Sequence, residues 1–274
     1  MRTGLVVSGG GAKGAFAVGA LEVLHGAGIA FDVISGTSTG ALIAPMVAIG
    51  KVEELVEHYT NVTNKEILRS NWRRLWWDGL YDTTPLVKRT RKELAKHYNL
   101  LMQVPTEVLL CAVNLQTGQT VYFSQQDGDD KRSWQDLDGL VTAIQASANQ
   151  PIFMRPVEID GDQYLDGGLR EIAPLSVIRK RGVGRIFVIV NSSEDREEGQ
   201  QYKNLKDIGL RALDLMTDEI ILNDIADVDD VVVIRPKSPL PSDGLTFEPS
   251  VMQRMRFLGQ EVAREILEKL DHGR

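Results

Sequence analysis

Cysteine, histidine and long apolar runs are scarce in this sequence. Cys111 is the only cysteine in 274 residues, which excludes an intrachain disulfide and makes an oxidising compartment unnecessary. It stands in the apolar run 108–113, where we expect a buried structural thiol. The longest uncharged run, residues 33–50, is too rich in glycine and hydroxyl side chains to span a membrane. Because the glycine-rich segment begins by Gly9, we expect no secretory leader and a cytoplasmic protein.

Basic side chains are outnumbered by acidic ones, 31 Lys and Arg against 38 Asp and Glu, which gives a net charge of −7. This balance argues against a nucleic-acid-binding protein, which needs basic surface to neutralise phosphates. The charge is uneven, because residues 65–97 contain nine basic and four acidic side chains, a net of +5 against −12 for the remainder.

The basic segment also holds three of the four tryptophans. Its candidate interfacial residues are Trp72, Trp76, Trp77, Arg73 and Arg74. Aromatic rings at the headgroup level and cations attracted by anionic lipid would make this segment a peripheral membrane contact. An apolar stripe at helical spacing more often packs on a core, which would leave only the arginines in water. The sequence leaves both interpretations open.

Strands alternate with helices along the chain, which indicates a three-layer α/β/α fold with a mainly parallel central sheet. The predicted strands are 5–8, 31–35, 108–114, 119–124, two short strands joined by 160–162, 186–190 and 231–234. The predicted helices are 15–24, 41–49, 52–59, 66–77, 86–98, 140–148, 175–180, 205–226 and 250–270. No stretch is typical of an interdomain linker, so we predict one domain over residues 1–274.

A glycine-rich loop, residues 9–14, follows the first strand and opens the first helix. Gly9, Gly11 and Gly14 have the spacing of a dinucleotide-binding fingerprint. Backbone amides at such a helix N-terminus bind an anion, either a pyrophosphate or the oxyanion of an acyl-transfer intermediate. A purely structural tight turn is a third interpretation. Asp32 begins the second strand rather than ending it, which weakens the nucleotide interpretation.

The second strand ends in a Gly-x-Ser-x-Gly motif, residues 36–40, which leads into a helix. The sharp turn needs small flanking residues, hence Gly36 and Gly40, and it projects Ser38 from the carboxyl end of the sheet. The amide of Thr39 can then face a developing oxyanion. We predict that Ser38 is a nucleophile; a small-residue turn without chemistry is the alternative.

None of the four histidines is well placed in the sequence to activate Ser38. His25, His58 and His97 fall in helical stretches and are expected at the surface. His272 lies two residues from the C-terminus, where chain ends fray. A histidine-based triad is therefore disfavoured.

A carboxylate can replace the histidine if it lies within hydrogen-bond reach of the hydroxyl. Asp166 is the best candidate, because it ends a short strand and precedes Gly167 and Gly168, which let the chain turn and present its side chain. An aspartate that only begins a turn is the alternative.

The 9–14 loop, the 36–40 motif and Asp166-Gly167-Gly168 together resemble the patatin-like phospholipase family in order and spacing. Residues 146–151 are similar to the family's small-residue segment ahead of its Asp-Gly motif. The resemblance extends over essentially the whole chain.

This resemblance implies a lipid acyl hydrolase of phospholipase A or lysophospholipase type with a lipid substrate and neither metal nor cofactor. Carried over, Ser38 is the nucleophile and Asp166 the general base. The amides of Gly10 and Gly11, with that of Thr39, would form the oxyanion hole.

The sequence departs from the family pattern at two places. Lys13 stands where arginine is common and lacks its planar fork, which leaves the backbone amides unaffected. Asn149 and Gln150 stand where small apolar residues are usual, which predicts a different acyl preference. The same chemistry permits a transacylase, and a non-catalytic nucleotide-binding module that uses Gly9–Gly14 is the alternative from another class.

Overall fold

The computed structural model describes residues 1–70, 81–193, 195, 201–225 and 231–272. Its strands are β1 (Thr3–Val7), β2 (Val33–Thr37), β3 (Arg69–Ser70), β4 (Tyr81–Asp82), β5 (Glu107–Asn114), β6 (Thr120–Ser124), β7 (Arg132–Ser133), β8 (Val157–Ile159), β9 (Asp162–Asp166), β10 (Arg185–Ile189) and β11 (Val231–Ile234). Its α-helices are α1 (Gly14–Gly26), α2 (Thr39–Ala48), α3 (Val52–Thr60), α4 (Asn64–Ile67), α5 (Thr84–Leu101), α6 (Leu137–Ala148), α7 (Leu175–Arg179), α8 (Leu205–Asp224) and α9 (Pro249–His272).

A mixed central sheet runs in the order β11-β10-β1-β2-β5-β6-β7. The pairs from β11 to β5 are parallel, whereas β6 returns antiparallel to β5 through the hairpin turn at Thr117-Gly118. The predicted mainly parallel sheet is therefore confirmed. Every residue of β5 is buried, as expected for a strand covered on both faces.

Side chains of the sheet alternate between two apolar clusters, one on each face. Leu5 and Val7 join a large cluster with helices α1, α2, α3, α5, α6 and α9. Val6 joins a smaller cluster on the opposite face with residues of α7 and α8. Helices therefore cover both faces of the sheet, in the predicted three-layer arrangement.

The register along β5 brings two distant segments together. Thr37, the last residue of β2, pairs with Cys111, and Asp166, the last residue of β9, pairs with the next residue, Ala112. Strand β9 thus continues along the edge of β5 where β2 stops, in the opposite direction. Ser38, which follows Thr37, consequently lies close to Asp166 at the carboxyl end of β2.

The predicted helix over residues 66–77 is wrong in its described part. Helix α4 ends at Ile67, and Leu68 is extended, with φ −130° and ψ 137°. The Glu66 carboxylate accepts hydrogen bonds from the amide and hydroxyl of Thr63, which closes a single turn. Ile67 and Leu68 both bury their side chains, and the chain then forms β3, which pairs with β4. Consecutive buried residues and a strand pairing override the helical spacing of the sequence.

The candidate interfacial residues Trp72, Trp76, Trp77, Arg73 and Arg74 lie outside the described residues. Within the described part of the chain, no helix combines the length and the apolar composition that crossing a bilayer requires.

Candidate active site

Ser38 occupies a strained turn between β2 and α2. Its φ of 57° and ψ of −117° are unusual for a residue with a side chain, and such strain persists only where the surroundings enforce it. The surroundings here are close backbone contacts, since a Cβ at Gly36 would lie 2.3 Å from the Gly40 carbonyl oxygen, and one at Gly40 would lie 2.1 Å from that of Val7. The motif glycines are therefore required by sterics.

The elbow is also held by a hydrogen bond that the motif does not reveal. The amide of Ser38 donates to Ser147 Oγ at 3.0 Å, and Ser147 donates in turn to the Cys111 carbonyl oxygen at 2.5 Å. Ser147 thus connects α6, β5 and the nucleophile turn. Cys111 itself is buried, as predicted, and burial raises the pKa of its thiol.

Asp166 ends β9 and leads into a 3₁₀ turn over Gly167–Leu169. Its amide donates to the Asn149 carbonyl oxygen at 3.0 Å, and its Oδ1 accepts from the amide of Gly168 at 2.8 Å. Only 4% of the residue is exposed. Asn149 therefore supports the aspartate from its own backbone, a role that its sequence position does not suggest.

Burial is the main influence on the acidity of Asp166. It raises the pKa of this carboxyl to about 6, against the opposing hydrogen bonds from the Gly168 amide and the Ser38 hydroxyl. The latter interaction joins the two side chains that the motifs single out. A carboxylate with a pKa just below neutrality suits a general base at physiological pH.

The glycine loop approaches the same point from β1. A Cβ at Gly9 would lie 3.3 Å from Ser38 Cβ. Gly10 and Gly11 have φ values of 149° and 56°, which side chains rarely adopt. Among the described residues, none accepts a hydrogen bond from the amides of Gly10, Gly11 or Thr39.

Thr39 begins α2 directly after Ser38, so its amide is one of the unpaired N–H groups of that helix terminus. Its hydroxyl lies 2.6 Å from the hydroxyl of Tyr59 on α3. Burial raises the pKa of Tyr59 to about 12, so this phenol stays protonated and anchors the first turn of α2.

Two of the four histidines differ from their predicted surface position. His58 is half-buried, with its Nε2 3.5 Å from Glu93 Oε2, and His97 Nε2 lies 2.8 Å from Glu54 Oε2. The reason is that His58 follows the buried Leu55 by three residues, and α5 lies across that face of α3. In the described part of the chain, no hydrogen bond or ion pair joins a histidine to Ser38.

Two further sequence positions take structural roles. The Asp32 carboxylate accepts from the amide of Thr3 at the amino ends of β1 and β2, the opposite end of the sheet from the glycine loop. Lys13 is close enough to Asp214 on α8 to counter the burial that raises the pKa of that carboxyl.

A cavity of about 980 Å³, counting the part open to solvent, lies beside Ser38. Its wall is mainly apolar and draws on α2, α3, α5 and residues 244, 245 and 247, with Leu42, Met46, Leu55, Leu86, Leu94 and Phe247 among the lining residues. Gln150, His58, Arg89 and Glu93 add polar groups to the wall. Small-molecule sites are typically concave and mainly apolar, with a few polar groups that fix the orientation of the ligand, and this cavity has that character.

No set of three or more acidic, histidine or cysteine side chains in the described ranges is arranged to hold a metal ion. The groups gathered at this turn include the Asp166 carboxylate, the Ser38 hydroxyl and the free backbone amides of Gly10, Gly11 and Thr39. This arrangement can activate the hydroxyl as a nucleophile and stabilise an oxyanion beside it.

The family model for patatin-like phospholipases matches residues 5–178, which include all three glycine-containing motifs. An uncharacterized NTE family protein of Mycobacterium tuberculosis is 26% identical over 198 residues, 72% of this chain and 51% of the relative. The lysophospholipase NTE1 of Scheffersomyces stipitis is 27% identical over 196 residues, 70% of this chain and 12% of that protein. The chain thus spans about half the length of the mycobacterial relative and far less of the fungal one.

Among solved structures, VipD from Legionella pneumophila matches 98% of this chain and 67% of its own, with a TM-score of 0.56 and 14% identity. At this identity the likeness concerns the fold alone.

Proposed function

This chain belongs to the patatin-like phospholipase family, and on that premise we propose that it is a lipid acyl hydrolase in which Ser38 is the nucleophile and Asp166 the general base. The observation that carries the proposal is the contact between the Ser38 hydroxyl and the buried Asp166 carboxylate. The lysophospholipase name of the fungal relative supports a substrate of the phospholipid or lysophospholipid class.

Acylation begins when Asp166 takes the proton of the Ser38 hydroxyl as Oγ attacks the carbonyl carbon of the ester. The bond between that carbon and the leaving alkoxide oxygen then breaks, and Asp166 returns the proton to the leaving alcohol. An acyl group on Ser38 and an ionised Asp166 remain.

Deacylation repeats the same proton transfers with water. Asp166 takes a proton from water as the water oxygen attacks the acyl carbon, and the proton returns to Ser38 Oγ as the fatty acid leaves. With a pKa of about 6, Asp166 is mostly ionised at neutral pH and is ready for each first step.

The oxyanion formed in each step needs donors that are not already engaged. The Ser38 amide is occupied by Ser147, so the donors we assign are the amides of Gly10, Gly11 and Thr39. The N-terminus of α2 adds its dipole to the same region. Preorganised donors of this kind are worth about 10² to 10³ in turnover each.

The cavity beside Ser38 is the site we assign to the acyl chain. Its apolar wall removes hydrocarbon from water, which stabilises the bound chain by about 0.8 kcal/mol for each buried methylene group. Long-chain esters should therefore bind more tightly than short ones.

Ser38→Ala tests this proposal. With a lysophospholipid and a long-chain nitrophenyl ester as substrates, we expect turnover to fall by on the order of 10⁴ or more, because the nucleophile is absent. Ser133→Ala, on the peripheral strand β7, is the matched control and should retain wild-type turnover. Full esterase activity in Ser38→Ala would show that the proposal is wrong.

A further inference from the structure

A short segment after the proposed base contacts all three motifs. This clamp segment, residues 171–174, offers its carbonyl oxygens to groups around Ser38. The Glu171 oxygen accepts from Thr37 Oγ1 at 2.9 Å, and the Pro174 oxygen accepts from Ser35 Oγ at 2.8 Å. The Ile172 oxygen accepts from the amide of Gly9 at 3.0 Å. The clamp segment therefore links the end of β2 and the glycine loop to the turn that follows Asp166.

The clamp segment is held in turn by a side chain from the last turn of α8. Asp224 Oδ2 accepts from the amide of Ala173 at 2.9 Å, and the carboxylate also accepts from the amide of Ile172. A carboxylate in the last turn of a helix is unfavourable, because it faces the negative end of the helix dipole. Its contacts with two backbone amides compensate for this unfavourable position.

The surroundings of Asp224 are mainly apolar and partly acidic. Burial, with a contribution from the charge of Glu171, raises the pKa of this carboxyl to about 7, while the two backbone amides lower it. In the described part of the chain, the buried Cys111 thiol also interacts with this carboxyl. Asp224 is therefore a proton acceptor of near-neutral strength, and its ionised form is the better partner for the amides.

We propose that Asp224 is a positioning residue of the active site. Its carboxylate fixes the orientation of the Ile172 carbonyl, which accepts the hydrogen bond from the Gly9 amide, and this bond fixes the position of the glycine loop beside Ser38. The inference rests on the proposed hydrolase function. It concerns a residue outside the range 5–178 that the family model matches.

Only a few contacts separate Asp224 from the proposed nucleophile, Ser38. Asp224 Oδ2 accepts from the amide of Ala173, and the carbonyl of the same peptide group, that of Ile172, accepts from the amide of Gly9. A Cβ at Gly9 would lie 3.3 Å from Ser38 Cβ, so Gly9 lies beside the proposed nucleophile. Gly10 and Gly11, the proposed oxyanion donors, follow directly. A displacement of about 1 Å at such groups costs about 10² in rate even when the substrate still binds.

Asp224→Leu, Asp224→Asn and the control Glu219→Gln test this role. Leucine removes both acceptor oxygens, so we expect kcat to fall by about 10² with KM little changed. Asparagine keeps one acceptor oxygen and should recover most of the wild-type kcat. Its pH profile should lose the inflection near pH 7 and keep the one near pH 6 that Asp166 produces. Glu219 is exposed on the same helix, so Glu219→Gln changes the charge equally and should leave kcat unchanged.

Amide hydrogen exchange separates this inference from the proposed function. In Asp224→Leu the amides of Gly9, Ile172 and Ala173 should exchange at least about tenfold faster, while amides in the core of β5 keep their protection. Unchanged exchange at these three amides would overturn the inference whatever the activity. Faster exchange with an unaltered kcat would also overturn it, and a wild-type protein without esterase activity would remove the function on which it rests.

Discussion

Burial makes ionisation of Asp166 less favourable in the folded protein than in the unfolded chain. Its pKa rises from 3.8 to about 6 on burial, so the fold prefers the protonated carboxyl. The stability that protonated Asp166 provides is fully present below pH 3.8 and is lost as the pH rises to about 6. At pH 8 the difference amounts to roughly 3 kcal/mol, at about 1.4 kcal/mol for each pKa unit.

Asp166→Asn should therefore stabilise the protein while abolishing its activity. We expect a free energy of unfolding up to roughly 3 kcal/mol above that of the wild type at pH 8 and a small difference at pH 4, measured by urea denaturation. Glu158→Gln, at an exposed position on β8, is the control and should change stability little at either pH. A destabilised Asp166→Asn at pH 8 would contradict this account of the buried carboxylate.

The residues of the site differ in how far the sequence reveals them. Ser38 and Asp166 stand in short motifs, and the structure brings their side chains together. Ser147, Tyr59 and Asp224 carry no motif, because each acts through a single hydrogen-bonding atom brought close only by tertiary folding. For Ser147 the sequence offers one indication, the small-residue segment 146–151 that contains it.

At the scale of elements, α1 and α9 cross at very short range. A Cβ at Gly259 would lie 2.0 Å from the Phe16 carbonyl oxygen, and one at Gly19 would lie 1.9 Å from that of Arg256. Beside the crossing, Arg256 donates to both carboxylate oxygens of Glu22, at 2.5 and 2.6 Å. The two helices therefore depend on glycine at their contact and on a bidentate ion pair at its edge.

Gly259→Ala should force the two helices apart. We expect a loss of about 1–3 kcal/mol in the free energy of unfolding, since the added methyl group meets backbone that cannot rotate away. Gly26→Ala, at the end of α1, is the matched control, because no atom lies within 4 Å of its added Cβ. It should be neutral or slightly stabilising in the same measurement, and equal effects of the two substitutions would contradict a close crossing.

The order of strands and helices follows from periodicity and turn residues, whereas their tertiary pairing does not. The β5–β6 hairpin around Gly118 and the β8–β9 hairpin around Gly161 were predictable, because glycine at positive φ marks both turns. The meeting of β9 with the end of β2 depends on their shared pairing with β5, which local sequence does not encode. In its described part, the helix predicted over 66–77 failed for the related reason that the burial of Ile67 and Leu68 and the pairing of Arg69–Ser70 with β4 outweighed helical spacing.

At the scale of the whole molecule, the first and last helices close the structure on one face of the sheet. Helix α9 packs on α1, and both contribute to the large apolar cluster that also includes α2, α3, α5 and α6. We propose on this basis that residues 1–274 form one domain. Thermal unfolding followed by far-ultraviolet circular dichroism and by tryptophan fluorescence should then give coincident single transitions, and two separated transitions would contradict a single domain.

The net charge of −7 describes the molecule only as an average. Helix α5 carries five of the nine basic side chains of the stretch 65–97 and contributes to the wall of the cavity beside Ser38. This distribution is compatible with an enzyme that approaches an anionic lipid surface from one side.

The most direct test of the central claim is the reaction of the protein with a long-chain alkyl fluorophosphonate, with the adduct located by peptide mass spectrometry. The Ser38 oxygen attacks phosphorus, fluoride leaves, and Asp166 takes the hydroxyl proton. We expect one adduct, on Ser38, whose rate of formation rises with pH as Asp166 loses its proton near pH 6 and which Asp166→Asn nearly abolishes. An adduct on another residue, or a rate on Ser38 that Asp166→Asn leaves unchanged, would contradict the assignment of these two residues as nucleophile and base.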